Sequence, residues 1–244
     1  EQYIARLHEQ YKPKTVKRKI ASVKALFHYL EYKDIIDHNP FSKILIHFRE
    51  PVILPKTIPL HTVETFLSTI YKQQENAKTS YQKRNALRDA AVAELLFATG
   101  MRISELCSLK INDLNLYDGT ILIYGKGDKE RIVYFDARTK IHLQNYLQER
   151  VDDNPALFVG LKFPYNRLEI GGVESRLKKL GETIQVEKVH PHKFRRTMAT
   201  TAIDKGMPIE QVQKLLGHEK IDTTLHYAMV KQSNVKNAHR KYIG

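Results

Sequence analysis

The sequence predicts a mostly helical protein with a small antiparallel sheet, an α+β fold. Apolar residues recur three and four positions apart in several long stretches, which is typical of helices that pack one face against a core. Two short runs rich in β-branched and aromatic residues, 120–124 and 131–135, flank a turn at 125–128. The Gly-Lys-Gly-Asp sequence of that turn predicts that the two runs form a hairpin.

The first long helix is predicted over residues 15–32, where Thr15 suits the N-cap position. Its apolar residues recur at helical spacing and indicate one buried face: Val16, Ile20, Val23, Leu26, Phe27 and Leu30. Asn39 followed by Pro40 ends the local helical pattern, because the residue before a proline is biased away from the helical region.

A change in composition predicts two domains. Residues 49–61 contain three prolines, which interrupt any regular element. We interpret this stretch as a semi-rigid linker between a smaller domain over 1–48 and a larger one over 62–244, which includes a C-terminal tail.

The larger domain is predicted to be helical apart from the hairpin. It begins with a helix over 62–73, followed by a polar loop over 74–83. An apolar helix over 85–97 comes next, and Gly100 is its expected C-terminal stop.

Shorter helices follow in the second half. One covers 103–109, one begins at Pro191, and one is entered through Pro208 and stopped by Gly217. The helix boundaries therefore fall next to the polar residues of the motifs described below.

The net charge of the sequence indicates which kind of molecule the protein binds. The 244 residues carry a formal net charge of +13 and have an isoelectric point of about 9.6. Such an excess of cations favours a polyanion, which could be DNA, RNA or an anionic membrane surface. No apolar run approaches the length of a membrane span, and no signal peptide opens the sequence. The single cysteine, Cys107, lies in an apolar helical pattern, so we expect a core residue in a cytoplasmic protein.

Three motifs carry the functional indication: residues 98–106 (ATGMRISEL), 190–197 (HPHKFRRT) and 215–227 (LLGHEKIDTTLHY). Together they place a phenol, two arginines and two histidines near predicted helix ends, a set suited to covalent attack on a phosphodiester. Their order and spacing resemble the tyrosine recombinases, also called phage-type integrases, and in particular their Xer-like members. The resemblance extends from about Thr15 to the end of the sequence.

Two of the motifs contain candidate phosphate ligands. Arg102 follows the stop at Gly100 and opens a helix, where unpaired N–H groups favour an anion and a guanidinium can hold a phosphate by two hydrogen bonds. His192 and Arg195 are three residues apart and share a helix face. The resemblance implies that Arg102, His192 and Arg195 are catalytic. Glu105 either orients Arg102 or is a surface glutamate.

The third motif contains the candidate nucleophile. His218 lies just past a predicted helix end, where a simple C-terminal cap is the alternative interpretation. Tyr227 is expected on a short helix capped by Asp222 or Thr223. A free phenol ionises near pH 10, so attack at neutral pH needs neighbouring cations or a proton acceptor. The resemblance implies that Tyr227 is the nucleophile, His218 a catalytic histidine and Lys126, in the hairpin turn, the general acid.

Further cations are expected to contact DNA phosphates. They are Lys14, Lys17, Arg18, Lys19 and Lys24 along or just before the first long helix, together with Lys129 and Arg196. For Arg196 a structural role is the alternative. Lys129 is also a weaker alternative to Lys126 as the general acid, because the family's motif places the acid between the two glycines.

The resemblance implies a recombinase catalytic domain preceded by part of a helical DNA-binding domain, whose first helices are expected to be missing before Glu1. It implies site-specific recombination of double-stranded DNA through a 3′-phosphotyrosyl bond and a Holliday junction, with no metal and no other cofactor. It further implies a homotetramer on two DNA sites, accessory proteins in some members, and a C-terminal tail that docks on the adjacent subunit.

Three alternatives are compatible with parts of this pattern. Four histidines could be zinc ligands, although no matched cysteine or carboxylate cluster completes the site: His190, His192, His218 and His226. A non-catalytic DNA-binding regulator would explain the charge but not six catalytic-type residues. A type IB topoisomerase shares the chemistry, but the small basic helical segment at the N-terminus favours a recombinase.

Overall fold

A computed structural model of the protein describes residues 2–42, 57–125, 129–186, 189–225, 227, 239–240 and 243. Its contacts divide the chain into two compact units, Glu1–Ile53 and Leu54–Gly244. The linker predicted at 49–61 lies mostly outside the described residues, so the predicted domain bounds stay a prediction.

Within the described residues, the predicted fold class is confirmed. The helices in chain order are α1 (Gln2–Gln10), α2 (Pro13–Tyr32), α3 (Leu60–Glu75), α4 (Ser80–Thr99), α5 (Ile103–Ser108), α6 (Ala137–Gln148), α7 (Ile170–Thr183), α8 (Pro191–Asp204), α9 (Ile209–Leu216) and α10 (Ile221–Leu225). A single turn of 3₁₀-helix covers Ile111–Asp113. The strands are β1 (Leu114–Asn115), β2 (Thr120–Tyr124) and β3 (Glu130–Tyr134), and they form one antiparallel sheet in the order β1-β2-β3.

The first unit is built from α1 and α2. Leu7, Val16 and Ile20 form its buried cluster. α2 begins at Pro13 rather than at the predicted cap Thr15, because proline is well suited to the first position of a helix. Leu26, predicted to be buried, is 54% exposed.

In the second unit, α4 is the central helix. It contacts α3, α6 and α8, and its middle is buried on all sides. The predicted loop 74–83 is shorter than expected, because α3 extends to Glu75 and α4 starts at Ser80. The Thr79 side chain caps α4 by accepting a hydrogen bond from the backbone N–H of Gln82 (3.1 Å).

The sheet has one face toward the core. Ile121 pairs with Val133 and Ile123 pairs with Arg131, so these four residues share a face. Ile121, Ile123 and Val133 are buried, which directs Arg131 inward as well. β1 was not predicted from the sequence, since a strand of two residues shows no periodicity. The turn residues 126–128 lie outside the described residues.

Several helix ends position the residues of the motifs. α4 and α9 end at Gly100 and Gly217, as predicted, and both glycines are left-handed, with φ of +59° and +63°. α10 begins at Ile221, so Asp222 and Thr223 lie inside it and the predicted caps are wrong. The helix also ends before Tyr227, which lies in the turn that follows.

The segment before α3 is anchored on α8. Ile58 is buried, and its backbone N–H donates to the hydroxyl of Thr197 (2.9 Å). α3 itself starts at Leu60, inside the stretch that was predicted to be linker.

Candidate active site

Three arginines converge on the C-terminal end of α9. Each donates a hydrogen bond to one of three consecutive carbonyls: Arg131 Nε to Leu215 (3.1 Å), Arg195 Nη2 to Leu216 (2.7 Å) and Arg102 Nη2 to Gly217 (3.1 Å). The last carbonyls of a helix lack partners within the helix and carry partial negative charge, so cations are favoured there. We call Arg102, Arg131 and Arg195 the arginine cluster.

Arg102 is the member of the cluster that reaches the surface. It precedes α5, and its side chain is 37% exposed. Its Nη1 donates to Glu105 Oε1 (2.8 Å), and its backbone N–H donates to Glu105 Oε2 (2.7 Å). The guanidinium is therefore held on one side, while another part of it remains open to solvent.

Glu105 is buried beneath Arg102, so its interpretation as a surface glutamate is wrong. It is 5% exposed and accepts two parallel hydrogen bonds from Arg131, at 2.8 and 2.7 Å. Burial acts to raise the pKa of Glu105, but the hydrogen bonds from Arg131 and Arg102 outweigh it, and the pKa is lowered. Glu105 is thus a carboxylate at neutral pH.

Arg195 is the most deeply buried member of the cluster, at 4% exposure. It comes from the first half of α8, and its Nη1 donates to the carbonyl of Gly100 (2.7 Å). Burial, followed by the nearby charge of Arg102, lowers the pKa of Arg195 to about 10. Arg195 therefore keeps its proton at pH 7, but it is a poorly solvated cation.

His218 joins Arg195 to α10. Its Nε2 lies 3.0 Å from Arg195 Nη2, and its Nδ1 lies 2.8 Å from Thr224 Oγ1. Because a guanidinium only donates hydrogen bonds, we infer that Nε2 accepts and that Nδ1 carries the proton. Burial and the charges of Arg195 and Arg102 lower the pKa of His218 to about 4. The ring is therefore neutral at pH 7.

Tyr227 lies beside His218. The two rings stack with centroids 5.9 Å apart and planes 24° from parallel. The half-buried ring of Tyr227 also packs on the apolar cluster formed by α8 and α9, which contains Met198, Val212 and Leu216. Its backbone N–H donates to the carbonyl of Thr224 (2.8 Å). Thr224 thus fixes both the histidine ring and the turn that carries the tyrosine.

The charges of this site are unbalanced. Three guanidinium groups, one carboxylate and a neutral imidazole leave a formal excess of two positive charges among these described groups. Such an excess in a partly desolvated site favours a bound anion. The arrangement suits a phosphate group that approaches from the exposed side of Arg102.

Comparison with known proteins shows the family to which this chain belongs. Residues 65–234 match the phage integrase family. A tyrosine recombinase of Agathobacter rectalis is 51% identical over 243 residues, which are 97% of this chain and 78% of that protein. The chain belongs to the phage integrase family.

Other recombinases agree with this assignment. The tyrosine recombinase XerD of Listeria monocytogenes is 35% identical over 239 residues, which cover 94% of this chain and 76% of that protein. The structure of XerH site-specific recombinase bound to difH substrate matches with a TM-score of 0.76 at 25% identity, over 100% of this chain and 69% of that one. Our chain is a tyrosine recombinase, an enzyme that breaks and rejoins DNA at specific sites.

Four predicted catalytic residues of this recombinase therefore lie in or beside one site: Arg102, Arg195, His218 and Tyr227. His192 is exposed in the first turn of α8, one turn before Arg195. Lys126 lies outside the described residues, as does His226.

The other predicted DNA contacts are distributed over the surface. Lys129 follows the hairpin turn and forms an exposed ion pair with Glu219, the residue after His218, at 3.0 Å. Arg196 is half-buried on α8. In the first unit Lys14, Lys17 and Arg18 are exposed on α2.

The two remaining predicted contacts on α2, Lys19 and Lys24, are half-buried. Lys19 Nζ lies 4.5 Å from the centre of the Tyr11 ring, which is cation–π geometry. This contact holds Lys19 against the protein surface.

Two further observations concern metals and membranes. Among the residues that the structure describes, no group of three or more His, Cys, Asp or Glu side chains is placed to hold a metal ion. Both ring nitrogens of His218, one of the candidate zinc ligands, have hydrogen-bond partners. None of the described helices combines the length and apolar character needed to cross a bilayer.

Cys107 is a core residue, as predicted. It is 9% exposed, and burial raises the pKa of its thiol to about 11. A neutral thiol of this kind is a poor nucleophile at pH 7.

Sequence reasoning missed two residues of the site, Arg131 and Thr224. Strand alternation could have indicated Arg131, since it shares a face with Val133, which a core-facing strand would bury. Thr224 offers no such signal, because one hydroxyl in a short polar helix looks like a solvated residue.

Proposed function

We propose that Tyr227 cleaves DNA in the site of its own chain. Its stacking on His218, which is bonded to Arg195, is the observation that carries the proposal. In the proposed step the phenol of Tyr227 releases its proton to solvent and its oxygen attacks the scissile phosphorus. A 3′-phosphotyrosyl bond forms, and the bond to the 5′-oxygen breaks as that oxygen takes up a proton. The 5′-hydroxyl of a partner strand then attacks the same phosphorus and releases Tyr227.

In this proposal Arg102 and Arg195 bind the non-bridging phosphate oxygens. A guanidinium has five N–H donors, and Arg195 directs three of them at described partners, namely Gly100, Leu216 and His218. The donors that remain can reach a phosphate oxygen. Because protein carbonyls already hold each guanidinium in place, its remaining donors stabilise the charge of the transition state without reorganising.

We assign the histidines different parts. His218 is neutral and engaged on both nitrogens, so its proposed role is to hold Arg195 and to position the ring of Tyr227. Exposed His192, on the same helix as Arg195, is the proposed hydrogen-bond partner of the phosphate from the DNA side. Lys126 is the proposed general acid that protonates the leaving 5′-oxygen.

Covalent trapping tests the nucleophile. A duplex with a nick next to the scissile phosphate loses its short 5′-hydroxyl fragment after cleavage, so the protein–DNA adduct accumulates. We expect an adduct with the wild-type protein, also in excess EDTA, and none with Tyr227→Phe, which should still bind the duplex. Tyr117→Phe is a matched control, since Tyr117 is 92% exposed in the same unit. An adduct formed by Tyr227→Phe would assign the attack to another residue.

We further propose that the enzyme acts as a homotetramer on two double-stranded DNA sites, in the cytoplasm, where the single buried thiol stays reduced. The second unit has an open groove of about 1270 Å³, lined by both apolar and charged side chains, that supports the assembly. Its walls include Leu60, Phe97, Met198 and Met207. The proposed occupant is the C-terminal tail, residues 234–244, of a neighbouring copy.

Charge placed in the groove tests the assembly. Leu60→Glu with Met207→Glu should leave binding to one DNA site unchanged but reduce the joining of two sites on native gels and the yield of recombinants by about tenfold, a modest coupling energy. Ile141→Glu is the control, because Ile141 is 54% exposed in the same unit and does not line the groove. Normal joining by the groove variant would place the contact elsewhere.

A further inference from the structure

Arg131 connects three elements of the recombinase site. It lies on the core-facing side of β3 and is 12% exposed. Its two Nη atoms donate to the two carboxylate oxygens of Glu105, from α5, at 2.8 and 2.7 Å. Its Nε donates to the carbonyl of Leu215, in the last turn of α9. A lysine at this position has one nitrogen and could not reproduce the planar set of three bonds.

The carboxylate that Arg131 holds is the one that orients Arg102. Glu105 accepts from both the guanidinium and the backbone N–H of Arg102. A carboxylate that is almost fully buried must have its oxygens satisfied, and its geometry is set by the donors that satisfy it. The position of Arg102 therefore depends on Arg131 through Glu105.

The other partner of Arg131 belongs to the segment that carries His218. Arg131 packs directly under Gly217, where an added Cβ would lie 3.0 Å from its Cδ and 3.1 Å from its Nε. The carbonyls of Leu216 and Gly217 in turn hold Arg195 and Arg102. Arg102 is held by two groups, the carboxylate of Glu105 and the C-terminal end of α9. Within the arginine cluster, Arg131 is the other member that contacts both.

We propose that Arg131 is a positioning residue for DNA cleavage, which holds Arg102 in its phosphate-binding orientation through Glu105 and the C-terminal end of α9. The proposal rests on the proposed role of Arg102 in cleavage. Arg131 does not need to touch the DNA, because three of its five N–H donors are directed into the protein and its side chain is only 12% exposed. Its loss should therefore change the rate of cleavage and leave the affinity for DNA nearly unchanged.

Single-turnover cleavage of the nicked duplex at saturating protein separates these two quantities. Arg131→Lys should form the adduct about ten- to a hundredfold more slowly, as expected when a catalytic group is misplaced by about 1 Å. Its Kd for the duplex should stay within about threefold, since the charge is retained. Arg176→Lys is the matched control, because Arg176 pairs with another buried carboxylate, Asp89, on α4. It should cleave at the wild-type rate.

A cycle with Glu105→Gln shows whether Arg131 acts through Glu105. If it does, Arg131→Lys should slow Glu105→Gln by less than it slows the wild-type protein, so that the two effects do not fully multiply. The bond from Arg131 to the end of α9 accounts for the slowing that remains. The proposal would be overturned if the effects of the two substitutions on the cleavage rate multiply fully. It would also be overturned if Arg131→Lys cleaves at the wild-type rate, whether its thermal stability is normal or reduced.

Two parallel variants complete the test. Normal cleavage by Arg102→Lys would instead overturn the role of Arg102 itself, and this inference with it. If Arg131→Lys does not fold, Arg131→Leu with Glu105→Leu removes the charge pair as a unit. Slow cleavage with retained affinity is then expected, and a wild-type rate again overturns the proposal.

Discussion

The basic helix α2 and the arginine cluster use cations in opposite ways. On α2, Lys14, Lys17 and Arg18 project into solvent, where a positive charge attracts phosphate without fixed geometry. In the cluster, Arg131 and Arg195 are 12% and 4% exposed and are held by carbonyls and a carboxylate. In the proposed mechanism the first arrangement supplies affinity for any DNA sequence, and the second acts in one chemical step.

The difference has an energetic origin. An exposed lysine keeps its water and loses little when it is replaced. Burial of Arg195 lowers its pKa, and carbonyls of Gly100 and Leu216 offset part of that desolvation. A phosphate that reaches such a cation meets a charge with little water to displace, so the interaction is stronger than at the surface. Rate and affinity should therefore respond to different residues.

The largest expected effect is on cleavage by arginine variants of the second unit. Arg102→Lys and Arg195→Lys retain the charge but lose the planar guanidinium, which bonds protein carbonyls and, in the proposed mechanism, a phosphate oxygen at the same time. Each should slow adduct formation by about a hundredfold or more, the size seen when an oxyanion donor is removed. DNA affinity should fall far less, because many other cations are proposed to contact the phosphates. Rapid-quench assays at saturating protein, with filter binding for affinity, measure both.

The matched control lies in the same unit. The side chain of Arg150 is 6% exposed and bonds Asp152 and the carbonyl of Ala156, away from the cluster. Arg150→Lys should cleave at the wild-type rate once corrected for folded protein. If Arg102→Lys and Arg195→Lys also cleave at the wild-type rate, the fixed geometry of the arginine cluster does not contribute to cleavage. The proposed difference between the cluster and α2 is then wrong.

The sequence predicted the parts of the site that have local signals. Gly100 and Gly217 were identified as helix stops because their context is local, and both are left-handed caps. Family spacing selected Arg195 and Tyr227 from many similar residues. What the sequence could not show was the convergence on α9, because Arg131 lies 84 residues from Leu215 and only tertiary packing joins them. The burial of Glu105 is missed for the same reason.

Exposed and buried faces were harder to predict. Leu26 fits the apolar stripe of α2 yet is exposed, since periodicity describes a helix face and not what covers it. Likewise, Lys19 fits the basic face but packs on Tyr11. These two residues show why a charge pattern predicts a binding surface only approximately.

The smallest expected effect is on the salt dependence of binding. Replacing Lys14, Lys17 and Arg18 with alanine removes three exposed charges of α2. If all three contact phosphates, the slope of log K against log salt should become shallower by about 2 to 3, since each contact contributes about 0.9. The rate of adduct formation at saturating protein should not change, because none of these residues belongs to the arginine cluster. Titrations at four or more salt concentrations give the slope.

The control for this prediction removes the same charge from another place. Lys162, Lys178 and Lys179 are exposed lysines of the second unit, outside the arginine cluster. Their alanine variant has the same net charge as the α2 variant, so a general effect of net charge would change both slopes equally. A shallower slope for the α2 variant alone locates the contacts on that helix. Equal slopes for the two variants would show that α2 does not contact the phosphates. The affinity for DNA would then have to come from cations elsewhere in the protein, and α2 could no longer be contrasted with the arginine cluster as a DNA-binding surface.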